Sequence, residues 1–270
     1  MLMWSGTTIH GRSGNFVGAH QKFDRVARKF VSELRGDAFF PDIKDILHFE
    51  GNNGPDGIKR KSPAVDEPWH YWDPTDESDL KLATIINNHQ IALTKAIKDK
   101  DEEKAAFEAA WMAHAIVDGL TPAHHYPYED KLVELRGEGL ETRNTIRSKA
   151  VIKGETKRQT VSKNWQFWGA KGLFVSHFTF EWGVASLAKP LNFKEFCIKD
   201  ADIKHAKNVG LLEYIRENAL EIHSLKLYDR FLARGWSVKL SHDVRQKLCP
   251  IIIQTITMAW IISMDEAESL

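Results

Sequence analysis

The sequence predicts an all-α protein built from many helices. Apolar residues recur at helical spacing through several long segments, with charged residues on the opposite faces. No run of alternating apolar and polar residues marks a strand, and no internal repeat or low-complexity stretch interrupts the pattern. At 270 residues the chain is long for one domain but within reach of one large hydrophobic core. Residues 1–270 are therefore expected to form a single multi-helix domain carrying one insertion, at about 126–172.

Residues 17–34 open the series, with Val17, Phe23, Val26, Ala27, Phe30 and Val31 close to one helical face. A stretch rich in Gly, Pro, Asp and Asn follows from about 36 to 76 and offers only short helices; connections of that length usually serve a function. Two amphipathic helices come next. Residues 79–96 are expected to turn Leu80, Ile85, Ile91 and Leu93 inward, and residues 101–117 begin with acidic side chains that suit a helix N-terminus. Gly119 and Pro122 stop the second helix. From 129 to 164 the chain is poorly apolar and increasingly basic: between Arg143 and Lys163 seven Lys/Arg stand against Glu155 alone. Helical pattern resumes at 173–188, continues in short helices after Pro190, and closes with residues 210–222 and a C-terminal helix. The apolar run at 251–262 is broken by Gln254 and Thr255 and is shorter than the roughly 20 residues a membrane span needs, so it reads as a buried core helix and no transmembrane segment is expected.

Charge excludes little. Lys plus Arg equals Asp plus Glu at 37 each, so net charge names no partner. Cys197 and Cys249 are far apart and in no CxxC pair, which argues against a disulfide framework and against a cysteine-based zinc site. The N-terminal MLMWSGTTIHGRSG lacks a basic segment followed by an apolar one, and the chain is expected to be cytoplasmic. The 12 His and 9 Trp are high for this length. Histidine is the commonest metal ligand at neutral pH, so its placement decides the reading.

The densest stretch is AHAIVDGLTPAHH, residues 113–125. His114 and Asp118 lie four apart on an expected helix, leave the same face and can grip one ion. His124 follows the Pro122 turn and approaches from another direction. His177 and Glu181 repeat the i, i+4 geometry on a second helix. An exposed pair at this spacing is often only a surface contact contributing about 0.2–0.5 kcal/mol. Here both pairs stand among apolar neighbours, Ala113, Ile116 and Val117 for one and Phe178, Phe180 and Trp182 for the other, and buried carboxylates need a partner.

The order His114-xxx-Asp118-xx-Thr-Pro-x-His124, followed by His177-xxx-Glu181, resembles the HxxxDxxxPxH and HxxxE/D signatures of the zinc-dependent phospholipase C and S1/P1 nuclease superfamily. Upstream, Pro55-Asp56 resembles the family's PD aspartate, His70 in EPWHYW stands fourteen positions further, and His20 after an early Trp4-Ser5 resembles the start of the phospholipase branch. The resemblance covers about residues 4–182 and leaves the C-terminal third unassigned. It implies two or three Zn2+ per chain on a helical scaffold: Asp56, His70, His114 and Asp118 on one zinc; His124, His177 and Glu181 on a second; and a third between Asp118, His20 and the main chain of Trp4. In the family that third site uses a tryptophan amino group exposed by cleavage, whereas Met1, Leu2 and Met3 precede Trp4 here. The gap between His124 and His177 is also wider than the family's, which places the insertion beside the site.

The implied activity is hydrolysis of a phosphate ester. Zinc held by His and carboxylates with an open position lowers the pKa of bound water toward about 7 and neutralises charge developing on phosphate; Asp56 would orient or deprotonate that water. Trp69, Trp72 and Trp168 are the candidate substrate contacts, stacking on a base or enclosing a choline-like group. The basic segment 143–163 is a candidate contact for nucleic acid or anionic lipid. Three functions stay open: a phospholipase C-like phosphodiesterase, favoured by Glu at 181 and the Asp56 to His70 interval; a single-strand nuclease or nucleotidase, favoured by the basic segment and the aromatics; and a non-catalytic zinc-binding protein on the same scaffold.

Overall fold

A computed structural model of the chain describes residues 18–191 and 198–269. The described residues are all-α: they form fourteen helices joined by short 3-10 turns and contain no strand. The first helix, α1, spans Ala19–Arg35 and buries Phe23, Ala27, Phe30 and Val31. The Gly- and Asn-rich stretch after it holds two short helices, α2 (Ile43–His48) and α3 (Pro55–Lys61), and two 3-10 turns. Next come α4 (Lys81–Lys98) and α5 (Glu102–Gly119), packed side by side along most of their length. The inward face of α4 differs from the expected one. Leu82, Ile86, Gln90, Leu93 and Ile97 are buried, whereas Leu80 and Ile91 are 60 % and 61 % exposed. Leu80 precedes the helix, and Ile91, five residues past Ile86, falls on its far side.

Asp101 caps α5, its carboxylate accepting from Lys104 N at 3.0 Å. Thirteen of the eighteen residues of α5 are buried, many of them alanines, so neighbouring backbones approach it closely on most sides. The C-terminal helix is longer than its apolar run: α13 (Val238–Asp243), a π turn (Val244–Leu248) and α14 (Cys249–Ser269) form one 32-residue rod. By length and composition that rod could cross a membrane, but 78 % of its apolar window is buried inside the protein. It packs against α1, α4 and α5, and Trp260 donates its indole N–H to Ala109 O at 3.1 Å. Between these lie α6 (Tyr128–Arg136), α7 (Ile146–Ala150), α8 (Lys157–Trp168), α9 (Leu173–Ala188), α10 (Asp200–Val209), α11 (Leu211–Ser224) and α12 (Leu227–Arg234).

The apolar interior falls into two clusters. The large one draws on α1, α4, α5, α9, α11, α12 and α14. The small one consists of Tyr128, Leu132, Ile152 and Phe167, all from the segment after His125, with Tyr71 and Phe174 packed at its edge.

Candidate metal centre

Asp118 sits in the middle of a buried group of histidines, near the C-terminal end of α5. One turn earlier on the same face, His114 places Nε2 3.3 Å from Asp118 Oδ2. After α5 ends at Gly119, the 3-10 turn Pro122–His125 folds His124 back, leaving its Nδ1 3.3 Å from Asp118 Oδ1. From the extended stretch before α4, His70 brings Nδ1 to 2.5 Å of Asp118 Oδ2. His20, on α1, stands with Nε2 3.7 Å from Asp118 Oδ1 and stacks its ring on His114 at 4.2 Å. On α9, His177 Nε2 and His124 Nε2 both lie 2.9 Å from Glu181 Oε1, their rings parallel and 5.1 Å apart.

Asp56 arrives from the first turn of α3, 4.0 Å from His114 Nε2. Its placement depends on Gly57: a Cβ there would stand 2.1 Å from Asn52 O, so only glycine lets α3 seat against the turn at Gly51–Asn53. The structure thus brings together Asp56, His70, His114, Asp118, His124, His177, Glu181 and His20, all buried. Trp4 lies outside the described residues.

Sequence spacing missed two acids in the same group. Glu50, fully buried, places Oε2 3.4 Å from His114 Nδ1, on the side of the ring away from Asp118. Asp24, also fully buried, is near enough to feel the charges of Glu50 and His114. A signal for Asp24 was present, since His20 and Asp24 form a third His and carboxylate pair four apart. Glu50 stands in a Gly- and Asn-rich turn with no periodic partner and is legible only in three dimensions.

Burial alone would raise every carboxylate here and lower every histidine. For Asp118 that penalty is outweighed by His124, His114 and His70, which hold it well below the usual carboxylate range. Glu181 is likewise held low against its burial, by His177 and His124, and Asp56 by His114 and His70. Glu50 and Asp24 go the other way, raised by burial and by nearby carboxylates, Asp24 the more strongly. Burial and the neighbouring His114 take His20 down to about 3, and burial and nearby Lys59 take His70 down to about 4, so both rings are neutral at pH 7. His114 and His124 are raised despite their burial, chiefly by Asp118.

The donor set fits a metal. Three groups offer ligand atoms within 4.8 Å of one another: Asp56, His70 and His114; His124, His177 and Glu181; and His20, Glu50 and His114. The Nε2 of His70 and the Nδ1 of His177 are buried without a hydrogen-bond partner among the described residues. Buried ring nitrogens in that condition, beside ionised carboxylates, suit Zn2+ by ligand type.

No family model matches the chain, and no curated protein matches it. Asp56, His70, Asp118, His124, His177 and Glu181 of this cluster line the floor of a cavity of about 410 Å³. Lys59 and Arg60 of α3 line one side, with the Lys59 ammonium 5.2 Å above the Tyr71 ring. Leu132, Ile146, Phe167 and Trp168, from the segment after His125, form an apolar stretch of wall that Phe174 and Phe178 of α9 continue, and the ion pairs Arg143–Glu129 and Lys149–Glu67 line the cavity as well. Tyr71 and Tyr128 stack at 5.5 Å across the cavity floor.

Two of the three expected substrate tryptophans are elsewhere. Trp72 is buried in the main core and donates to Asp79 O at 3.1 Å. Trp69 donates to Tyr71 O at 2.5 Å and lies beneath the Lys81 ammonium. Both indoles are committed to the scaffold and neither lines the cavity; Trp168 does. The basic segment also divides. Arg143 pairs with Glu129 at 2.6 Å and Lys149 with Glu67 at 2.5 Å, while Arg147, Lys153, Lys157 and Arg158 are exposed with no ion pair among the described residues.

Proposed function

We propose that this chain is a zinc-dependent hydrolase of phosphate esters, acting on a phosphodiester in the manner of a phospholipase C. The observation that carries the reading is one cavity whose floor is a buried His and carboxylate cluster and whose wall is apolar. Asp56, His70, His114 and Asp118 would hold one zinc, and His124, His177 and Glu181 a second, with His20 beside Asp118 at a third position. Zinc so held supplies a Lewis acid for the phosphoryl oxygens and brings water within reach of deprotonation near neutral pH.

The chain's own groups supply the rest. Asp56, kept ionised by His114 and His70 against its burial and facing the cavity, accepts the proton of the attacking water as the new P–O bond forms, and that proton passes to the departing alkoxide as its P–O bond breaks. Lys59 balances the charge of the phosphate. Burial and surrounding carboxylates push the Tyr71 phenol well up, and burial together with Tyr71 does the same to Tyr128, so both remain protonated as hydrogen-bond donors at the cavity floor. The wall of Leu132, Phe167 and Phe174 takes an apolar leaving group and excludes water from it.

The apolar part of the wall, Leu132, Phe167, Phe174 and Phe178, favours a lipid phosphodiester over a nucleotide. Elemental analysis of purified protein, together with thin-layer analysis of phosphatidylcholine and digestion of single-stranded DNA and RNA, tests this. Two or three zinc atoms per chain, with diacylglycerol released and the rate lost in His114→Ala, is the expected result. Zinc with nucleic-acid cleavage alone would transfer the site to the nuclease reading. Zinc with no turnover would leave a metal-binding protein, and no zinc after reconstitution at neutral pH would end the proposal.

A further inference from the structure

Helix α8 packs in an unusual way. Phe167 is its only buried residue, yet its solvent side carries Val161 and Trp165, 70 % and 73 % exposed, and the half-exposed Trp168. These three stand at i, i+4 and i+7, one continuous stripe. Lys157 lies one turn before Val161 on the same face, and Arg158 is three residues from Val161 and seven from Trp165. Both cations are exposed and make no ion pair among the described residues. The exposed Arg147 and Lys153 precede the helix in the same segment, and Lys171 follows it. An outward apolar stripe bordered by free cations is a poor soluble surface and a good interfacial one.

We infer that α8 is a membrane-surface helix, whose occupant is the headgroup layer of an anionic bilayer. Charge complementarity identifies the occupant, since lysine and arginine at the edge of an apolar face attract anionic lipid. The composition of the stripe separates it from a nucleic-acid surface: Val161 offers no ring on which a base can stack, whereas an aliphatic side chain in line with two indoles suits the acyl and headgroup boundary. Continuity with the cavity adds a third argument. Trp168 belongs to both surfaces, and Ile146, 65 % exposed, also reaches from the cavity wall to the outside. The docked helix would set the cavity mouth at the lipid surface. The inference goes beyond the hydrolase reading and needs no zinc.

The test is co-sedimentation of the full chain with sucrose-loaded vesicles of phosphatidylcholine and phosphatidylglycerol at 7:3, against phosphatidylcholine alone, with and without chelator. Binding to the anionic vesicles in both metal conditions is expected. The double charge reversal K157E/R158E is expected to weaken it by about thirtyfold or more, the fold-change to which about 1 kcal/mol for each of two basic residues converts. Val161→Ser with Trp165→Ala is expected to weaken it about tenfold, with unchanged far-UV circular dichroism, since neither side chain is buried. Equal partitioning of wild type and both variants would overturn the inference. So would absence of vesicle binding, including the case in which a single-stranded oligonucleotide binds at the same salt and the charge reversal abolishes it. Failure of the hydrolase reading would show instead as absent zinc or turnover with vesicle binding intact.

Discussion

The cluster around Asp118 and the segment from Tyr126 to Gly172 are neighbours built on opposite principles. The first rests on α5, buried over thirteen of its eighteen residues, and is held by α1, α3 and α9 from separate directions. The second has a four-residue apolar centre, exposes Val161, Trp165 and Ile146, and leaves several cations without ion-pair partners among the described residues. A polar cluster in the interior tolerates little displacement, because every member depends on another for its charge. A thin outer segment can change sequence and position without disturbing it. On the proposed function, metal binding falls to the scaffold, and substrate and surface contact to the segment.

The sharpest way to break that division is Asp118→Ala. Asp118 faces four histidines, at 2.5 to 3.7 Å. Its removal is expected to lower zinc content by at least one ion per chain and phosphoesterase rate by roughly a thousandfold, given the several kcal/mol a metal contributes to charge stabilisation. An unchanged rate, measured on protein assayed for metal, would detach the activity from this cluster. Next in size is Glu50→Gln. With its carboxylate 3.4 Å from His114 Nδ1, Glu50 sets the ring's orientation, and its loss is expected to weaken zinc affinity by about 10–100-fold in competition with a chelator. An unaltered affinity would make Glu50 a bystander.

How the two regions were legible follows from the same contrast. His114 with Asp118 and His177 with Glu181 are visible in sequence because an i, i+4 pair on a helix is local, and His124 because a proline turn follows the helix end. The all-α class was legible for a similar reason, since helical periodicity is local. Glu50 reaches the cluster through a turn whose path depends on Gly57 meeting Asn52, and no periodic rule reports that. The inward face of α4 was misread because Leu80 and Ile91 are apolar without being in register with Leu82 and Ile86. Trp69 and Trp72 flank His70 in sequence, but indole N–H groups seek carbonyls, and Tyr71 O and Asp79 O hold them in the scaffold.

The outer segment can be tested alone. Phe167 is its largest fully buried side chain, in the small cluster with Tyr128, Leu132 and Ile152. Phe167→Ala is expected to cost that cluster about 3–5 kcal/mol. Because the large cluster shares none of its buried residues, the loss should appear as local opening: protease cleavage between 140 and 170, retained helical circular dichroism, and zinc content unchanged. Loss of zinc together with the segment would join the two regions into one cooperative unit.

The smallest expected effect discriminates most finely. Trp168 lines the cavity, donates its indole N–H to Ala150 O at 2.7 Å and packs on Phe174 at 4.7 Å, yet remains 39 % exposed. Half-covered apolar area of this kind contributes about 1 kcal/mol to a bound apolar group. Trp168→Ala is therefore expected to raise KM about fivefold for a long-chain phosphodiester, with kcat within about twofold. On bis-p-nitrophenyl phosphate, too short to reach the wall, both constants should be unchanged. If kcat falls in step with kcat/KM, the wall acts in the transition state, and the segment takes part in the chemistry instead of only admitting the substrate.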